Sequence, residues 1–505
     1  MSLAIVRTRA QVGIQAPLVI VEVHLSNGLP ALNIVGLPEA AVKESKDRVR
    51  SAILNSDFIF PAKRITINLA PADLPKEGGR YDLAIALGIL AAAGTIPSQP
   101  LDQHEFIGEL ALSGELRPIR GILSAAMQTQ RAQRILILPT DNSAEASLCQ
   151  SAEQKSARSL LQVCAYLCGQ ESLEEIDNLA LPECITEHAD LSEVKGQAQA
   201  KRALEITAAG KHNLLFIGPP GTGKTMLASR LPGILPPMSE QEALESAVIH
   251  SISSQQVTWL EHWKQRPFRS PHHTASGISL VGGGSKPRPG EVSLAHGGIL
   301  FLDELPEFSR KVLDVLREPL ESGRICIARA SRQVTFPARF QLVAAMNPCP
   351  CGYYGDPSAK CTCTQDQVRR YQGQTSGPLL DRIDLQIEVP PISLLRLQKT
   401  KPQDQENSAV VQARVLRAWQ TQLRRQQCSN GQRSNAQVEA YCGLSAEDEN
   451  LLRLAIEKLD LSARAYHRVL KISRTIADLA ESEHIQIGHI MEALSYRKLE
   501  RYRQR

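Results

Sequence analysis

The stretch Leu214-Leu215-Phe216-Ile217-Gly218-Pro219-Pro220-Gly221-Thr222-Gly223-Lys224-Thr225 decides the fold class of this chain. Four apolar residues make a short buried strand. The eight that follow fill every fixed position of a phosphate-binding loop, in the strand–loop–helix context that the motif requires. Glycines let backbone N–H groups turn toward phosphate oxygens, and the N-terminus of the next helix adds a favourable dipole. Lys224 is expected to reach the β- and γ-phosphates of ATP, and the Thr225 hydroxyl to ligate Mg²⁺. A glycine-rich turn without chemistry is the plain alternative, and a full pattern in context weighs against it.

Downstream, Gly298-Ile299-Leu300-Phe301-Leu302 reads as a buried parallel strand, a continuous apolar run, ending in Asp303-Glu304. The C-terminal end of such a strand delivers its carboxylates beside the phosphates. Asp303 is expected to hold Mg²⁺, and Glu304 to polarise the attacking water. Phe340-Gln341-Leu342-Val343-Ala344-Ala345-Met346 is a further strand, ending in Asn347. That asparagine resembles the sensor-1 residue of AAA+ proteins, which orients water against the γ-phosphate. Gly377-Pro378-Leu379-Leu380-Asp381-Arg382-Ile383-Asp384 resembles the arginine-finger segment of chelatase-like and MCM-like AAA+ proteins. Arg382 is the candidate finger, with Arg369 and Arg370 as competitors. A finger that enters the neighbouring subunit's site implies a ring, expected to be a homo-hexamer. Ser462-Ala463-Arg464 opens a helix similar to the sensor-2 element, which makes Arg464 its candidate.

Between Thr225 and Asp303 lie roughly eighty residues, including Arg266-Pro-Phe-Arg-Ser-Pro-His-His273, Leu280-Val-Gly-Gly-Gly284 and Lys286-Pro-Arg-Pro-Gly-Glu291. They resemble the helix-2 insert of magnesium-chelatase and MCM proteins, which projects toward a central channel. Lys286 and Arg288 are candidate contacts to a nucleic-acid backbone there, against the alternative of a charged surface loop. Arg324-Ile-Cys-Ile-Ala328 and Gln333-Val-Thr-Phe336 read as a hairpin whose connection holds Arg329 and Arg332. It resembles the pre-sensor-1 hairpin of helicase relatives. A basic tip of this kind suits sequence-independent, salt-sensitive DNA binding, and it also suits plain solubility.

Cys349-Pro-Cys351 and Cys361-Thr-Cys363 put four thiols in fifteen residues. Four thiolates satisfy tetrahedral Zn²⁺ and leave no open position, so a metal here is expected to be structural. The C-x-C pairs are tighter than the commoner C-x₂-C spacing, and reduced, unligated cysteines are the alternative. The chain has eleven cysteines, and the other seven are scattered.

With 57 basic and 53 acidic residues among 505, the formal net charge is only +4, so any phosphate-binding surface must be local. The N-terminal sequence lacks the pattern of a signal peptide, and the longest apolar run, residues 83–96, is too short to span a bilayer. A cytoplasmic protein with no membrane partner is expected. Texture divides the chain into a first region to about residue 170, with strand-like runs at 19–25, 64–69 and 134–138. An acidic, proline-bearing linker follows at 171–190, then an alternating strand–helix region at 191–395 and a helical region at 396–505.

In the first region, Pro75-Lys-Glu-Gly-Gly-Arg-Tyr-Asp82 and the apolar helix after it resemble the nucleophile loop of Lon-type proteases. Ile107-Gly-Glu-Leu-Ala-Leu-Ser-Gly-Glu-Leu-Arg-Pro-Ile119 is similar to that fold's later strand pair. Arg80 stands where the serine would be and Leu123 where the lysine would be, so a Lon-like fold without peptidase chemistry is expected. The implied fold class is α/β: an AAA+ P-loop core with a helical C-terminal lid and an N-terminal Lon-protease-like α+β domain. Together these motifs resemble the ComM/YifB family of magnesium-chelatase-like AAA+ ATPases. That resemblance implies a hexameric DNA helicase that promotes branch migration in natural transformation, with single-stranded and branched DNA and recombination proteins as partners. Rival readings are a chelatase motor that remodels a protein partner, an ATP-dependent peptidase, and an ATP-gated scaffold. Glu304 opposes the scaffold, while Arg80 and Leu123 oppose the peptidase.

Overall fold

Alternating valines and isoleucines build the first sheet of the computed structural model. The structure describes residues 3–39, 42, 44–150, 152–176, 188–253, 257–284, 287–329, 332–355, 360–391, 405–459 and 462–497. The chain forms two units. One comprises Met1–Cys184, Leu244–Trp263 and Ala328–Thr335, and the other Ile185–Ala243, Lys264–Ile327 and Phe336–Arg505.

In the first unit, β1 (Leu3–Arg9), β2 (Leu18–Ser26), β3 (Ala31–Val35), helix α1 (Ser45–Asn55) and β4 (Arg64–Ala70) come first. The sheet order is β1-β2-β4-β3, with β3 parallel to β4 and the other pairs antiparallel. Strict inside–outside alternation along β2 and β4 buries Val19, Val21, Val23, Ile65, Ile67 and Leu69 on one face. Helix α2 (Asp82–Ala92) lies against that face and is buried at every position, which is why its sequence is apolar all round. Gly88 permits the approach, because a β-carbon there would lie 2.5 Å from Val23 Cγ2.

The chain continues through β5 (His104–Phe106), β6 (Glu109–Leu110), β7 (Leu116–Arg117), α3 (Ile122–Arg131), β8 (Ile135–Pro139), β9 (Gln154–Ala157), α4 (Leu160–Leu167) and β10 (Glu174–Glu175), four of whose strands make a second sheet. Its order is β10-β9-β8-β5, while β6 and β7 form a separate antiparallel pair. Glu174 and Glu175 pair with Ser156 and Lys155, so the segment read as a linker from residue 171 opens inside this sheet. Residues 177–187 of that segment lie outside the described residues.

In the second unit, α5 (Ala198–Gly210), β11 (Leu214–Ile217), α6 (Lys224–Arg230), α7 (Glu240–Ser253), β12 (Phe268–Arg269), β13 (Gly282–Gly283), β14 (Arg288–Pro289), β15 (Ile299–Leu302), β16 (Arg324–Arg329), β17 (Arg332–Pro337), β18 (Gln341–Met346), α8 (Gln365–Gln372) and β19 (Leu385–Glu388) succeed one another. From Leu244 onward α7 belongs to the first unit, as do residues 328–335 of β16 and β17. Five strands form one wholly parallel sheet of order β12-β15-β18-β11-β19. Every residue of β11, β15 and β18 is buried, as continuous apolar strands covered on both faces require. β11 runs between β18 and β19, so its C-terminal end opens where ligands bind in such sheets.

The C-terminal region is helical throughout its described part: α9 (Ser408–Gln426), α10 (Asn435–Tyr441), α11 (Ala446–Leu459), α12 (Ala463–Leu479) and α13 (Ile487–Ser495). The side chains of Asn407, Ser434 and Ser462 cap α9, α10 and α12 by accepting backbone N–H bonds. Val411, Val415, Val469, Ile472 and Ile476 join Leu204 and Phe216 in one core. Among the described residues no helix is long and apolar enough to cross a membrane.

Candidate active site

Gly218 leaves β11 so close to the next strand's end that a β-carbon would meet Val389 O at 2.3 Å. Gly221 and Gly223 take φ of +76° and +87°, which L side chains rarely adopt. This backbone cradles one wall of a cleft of about 420 Å³, lined by residues 220–226 together with Asp303, Glu304, Met346 and Asn347. Strand order explains the convergence. β18 pairs with β11 and β15 with β18, so Asp303-Glu304 and Asn347 arrive at the phosphate loop from sequence positions far away.

Lys224 begins α6, and its ammonium donates to Gly218 O at 2.8 Å, Pro219 O at 2.9 Å and Asn347 Oδ1 at 3.1 Å. Burial lowers its pKa, against the opposing pull of Asp303 and Glu304. Thr225 Oγ1 donates to Asp303 Oδ2 at 2.6 Å, and Glu304 N donates to Asp303 Oδ1 at 2.9 Å. A hydroxyl and a carboxylate oxygen in contact at the mouth of a phosphate loop form a hard oxygen donor set, which fits Mg²⁺. Glu304 adopts φ +52°, a left-handed turn that ends the strand at once. Its carboxylate stays half exposed, with Oε2 lying 3.3 Å from His273 Nδ1.

The other expected residues fall elsewhere. Arg382 does not line the cleft. Its Nη1 donates to Pro378 O at 2.6 Å, its Nη2 pairs with Glu321, and its side chain is 11% exposed. Arg464 is exposed on the first turn of α12, and Arg369 and Arg370 are exposed on α8. Arg288 is exposed on β14, whereas Lys286 lies outside the described residues. β16 and β17 pair as a hairpin and place the backbones of Arg329 and Arg332 at its turn, but their side chains lie outside the described residues.

The four clustered cysteines come together, with their sulfurs all within 4.8 Å of one another. Cys349 Sγ is 3.3 Å from Cys351 Sγ and 3.8 Å from Cys361 Sγ, and Cys351 Sγ is 3.6 Å from Cys361 Sγ. Sulfurs around tetrahedral Zn²⁺, each about 2.3 Å from the metal, stand about 3.8 Å apart, so the donor set fits that ion.

Sequence reading missed two contacts at the cleft. His273 lay within a quoted insert, but nothing in the sequence placed it against Glu304. Gln197, at the start of α5, donates to Thr222 O at 3.4 Å and Pro390 O at 2.8 Å, joining the loop to the segment after β19.

At the positions compared with a serine–lysine dyad, Arg80 is buried and donates to Arg120 O at 2.5 Å, while Leu123 is a buried apolar residue. The Leu123 backbone N–H donates to Glu145 Oε1 at 3.1 Å, and Ser251 donates to the same carboxylate. Burial pushes Glu145 up to about 7.

Three family models match the chain: "Magnesium chelatase, subunit ChlI" over residues 190–397, "Subunit ChlI of Mg-chelatase" over 21–142, and "Magnesium chelatase, subunit ChlI C-terminal" over 405–497. YifB of Salmonella typhimurium is 53% identical, over 99% of this chain and 98% of its own length. Competence protein ComM of Haemophilus influenzae is 52% identical, over 100% of this chain and 99% of its own. The magnesium-chelatase 38 kDa subunit of Rhodobacter capsulatus is 28% identical over 39% of this chain and 55% of its own. Full-length likeness at this level, with a phosphate loop and two carboxylates converging on one cleft, shows that the chain belongs to the ComM/YifB family of magnesium-chelatase-like AAA+ proteins.

Proposed function

We propose that this protein is an ATP-hydrolysing DNA motor, a hexameric helicase that promotes branch migration when incoming DNA recombines with the chromosome in natural transformation. The observation that carries the ATPase reading is the convergence of Lys224, Thr225, Asp303, Glu304 and Asn347 on one cleft. ATP is the substrate. Lys224 neutralises the β- and γ-phosphates, exchanging its carbonyl partners for phosphate oxygens. Glu304 accepts a proton from the attacking water, and Asn347 orients that water against the γ-phosphate. Thr225 and Asp303 would hold Mg²⁺, which supplies charge neutralisation on the phosphate oxygens. Arg382, with its guanidinium away from its own cleft, is assigned to the neighbouring subunit's site in the ring, and Arg464 to the sensor-2 role.

The DNA reading rests on the full-length likeness to a protein named for competence. Lys286, Arg288, Arg329 and Arg332 are assigned to the DNA backbone. The first unit is assigned a Lon-like fold without peptidase chemistry, in keeping with the burial of Arg80. The four-cysteine cluster is assigned a structural Zn²⁺, and the protein is assigned to the cytoplasm. A chelatase-like motor acting on a protein partner is the second reading, favoured by the family-model match over 190–397. ATP hydrolysis and strand separation on forked DNA distinguish the two. DNA-stimulated hydrolysis with unwinding supports the motor; hydrolysis indifferent to DNA, without unwinding, returns the protein-remodelling reading to first place.

A further inference from the structure

The cysteine loop is placed where a structural metal has a consequence for the nucleotide. Cys349 follows Asn347 by two residues, and Asn347 accepts the Lys224 ammonium. Between Cys351 and Tyr353 sits Gly352, with φ of +87°, pressed against the phosphate loop. A β-carbon there would lie 2.6 Å from Pro220 Cδ and 3.3 Å from Pro220 Cγ. Pro220 itself lines the cleft.

At the far end of the loop, Thr364 directly follows Cys363 and caps α8 in a reciprocal box with Gln367. Gln372, at the end of α8, donates back to Pro348 O at 2.9 Å, one residue from Asn347. Tyr371, buried on the same helix, has Glu304 and Glu307 among its charged neighbours. Cys349 is sealed from solvent, and its sulfur accepts the Tyr354 N–H at 3.3 Å. The four sulfurs thus join the loop's two arms, residues 349–351 and 361–363. The arms reach Pro220 on one side and α8 on the other.

We propose that Zn²⁺ held by Cys349, Cys351, Cys361 and Cys363 positions the nucleotide site, by pressing Gly352 onto Pro220 and anchoring α8 against Pro348. A four-sulfur site closed to further ligands cannot do the chemistry itself, so its influence runs through placement of the phosphate loop. Misplacing a catalytic loop by about 1 Å can cost up to roughly 10²-fold. This inference rests on the ATPase reading above.

The test uses the full-length protein and measures bound zinc, affinity for a fluorescent ATP analogue, and hydrolysis. Wild type is compared with chelator-stripped protein, with Cys361→Ser/Cys363→Ser and with Gly352→Ala. Cys428→Ser, outside the cluster, is the control. Wild type should carry one zinc per chain. Stripping or the double serine change should remove it and weaken nucleotide binding by roughly tenfold or more. Gly352→Ala is the sharper probe: it keeps all four thiols and should keep zinc while losing nucleotide affinity to a similar degree. Its value increases if the serine variant fails to fold. Absence of zinc from wild type, unchanged nucleotide affinity in folded zinc-free protein, or unchanged affinity in Gly352→Ala overturns the proposal. Wild type that binds no nucleotide with zinc present overturns the ATPase reading itself, and this one with it.

Discussion

Glu105 in the first unit and Lys224 in the second are both buried charges, and they are held in opposite ways. In the first, Glu105 is fully buried and receives Arg9 at 2.6 and 2.7 Å, Arg134 at 3.0 Å and the Thr129 hydroxyl at 2.6 Å. Arg80 and Glu145 are equally enclosed, by Arg120 O, the Leu123 N–H and Ser251. In the second, Lys224 is just as withdrawn from solvent, but its partners are two loop carbonyls and an asparagine on the wall of an open cleft. The first arrangement leaves a charge nothing to exchange. The second holds an ammonium with neutral acceptors that phosphate oxygens can replace. Buried charge alone therefore does not mark a reactive site; charge with replaceable partners beside open volume does.

Arg382 is the strongest way to break this comparison, because its bond to the exposed Glu321 makes it look like a structural ion pair. If it acts in a neighbour's site, Arg382→Ala should cut hydrolysis by roughly 10³–10⁵ while sparing nucleotide binding. A fall in melting temperature with hydrolysis intact would put it among the structural pairs. Next, Glu105→Gln should leave two guanidiniums without a counter-charge and destabilise the first unit by about 3–5 kcal/mol. Denaturant unfolding measures that loss, and affinity for an ATP analogue should not change.

Glu145 sharpens the contrast through pH. Its folded pKa, about 7, stands above the ordinary carboxyl value of 4.5, because burial favours the neutral form. Its contribution is thus fully present below about pH 4.5 and lost as pH rises through about 7, amounting to about 3 kcal/mol. Glu145→Gln should flatten the fall in stability over that window. An unchanged slope would mean that Ser251 and the backbone N–H groups already hold the carboxylate ionised.

What the sequence disclosed follows the range of the interactions. The phosphate loop was legible because Gly218 to Thr225 is contiguous and its chemistry depends on its own backbone. Asp303, Glu304 and Asn347 were legible because each closes a continuous apolar strand. The hairpin at 324–337 and the capped helix after Ser462 were legible for the same local reasons. β12 was not, since two residues carry no periodicity. The His273–Glu304 contact, the Gly352–Pro220 contact and the Ser251–Glu145 bond each join distant segments through the packing of intervening elements. No local pattern encodes them. The segment from residue 171 read as a linker for its acidity, although Glu174 and Glu175 pair on the exposed edge of a sheet, where charge is tolerated.

Glu304→Gln tests the central claim most directly, with binding of an ATP analogue and phosphate release measured on the same preparation. The account predicts nucleotide held as in wild type and hydrolysis reduced by roughly 10²–10⁴, the usual worth of a positioned general base. Hydrolysis at the wild-type rate in that variant would contradict it, and would move the chemistry away from the cleft between Lys224 and Asp303.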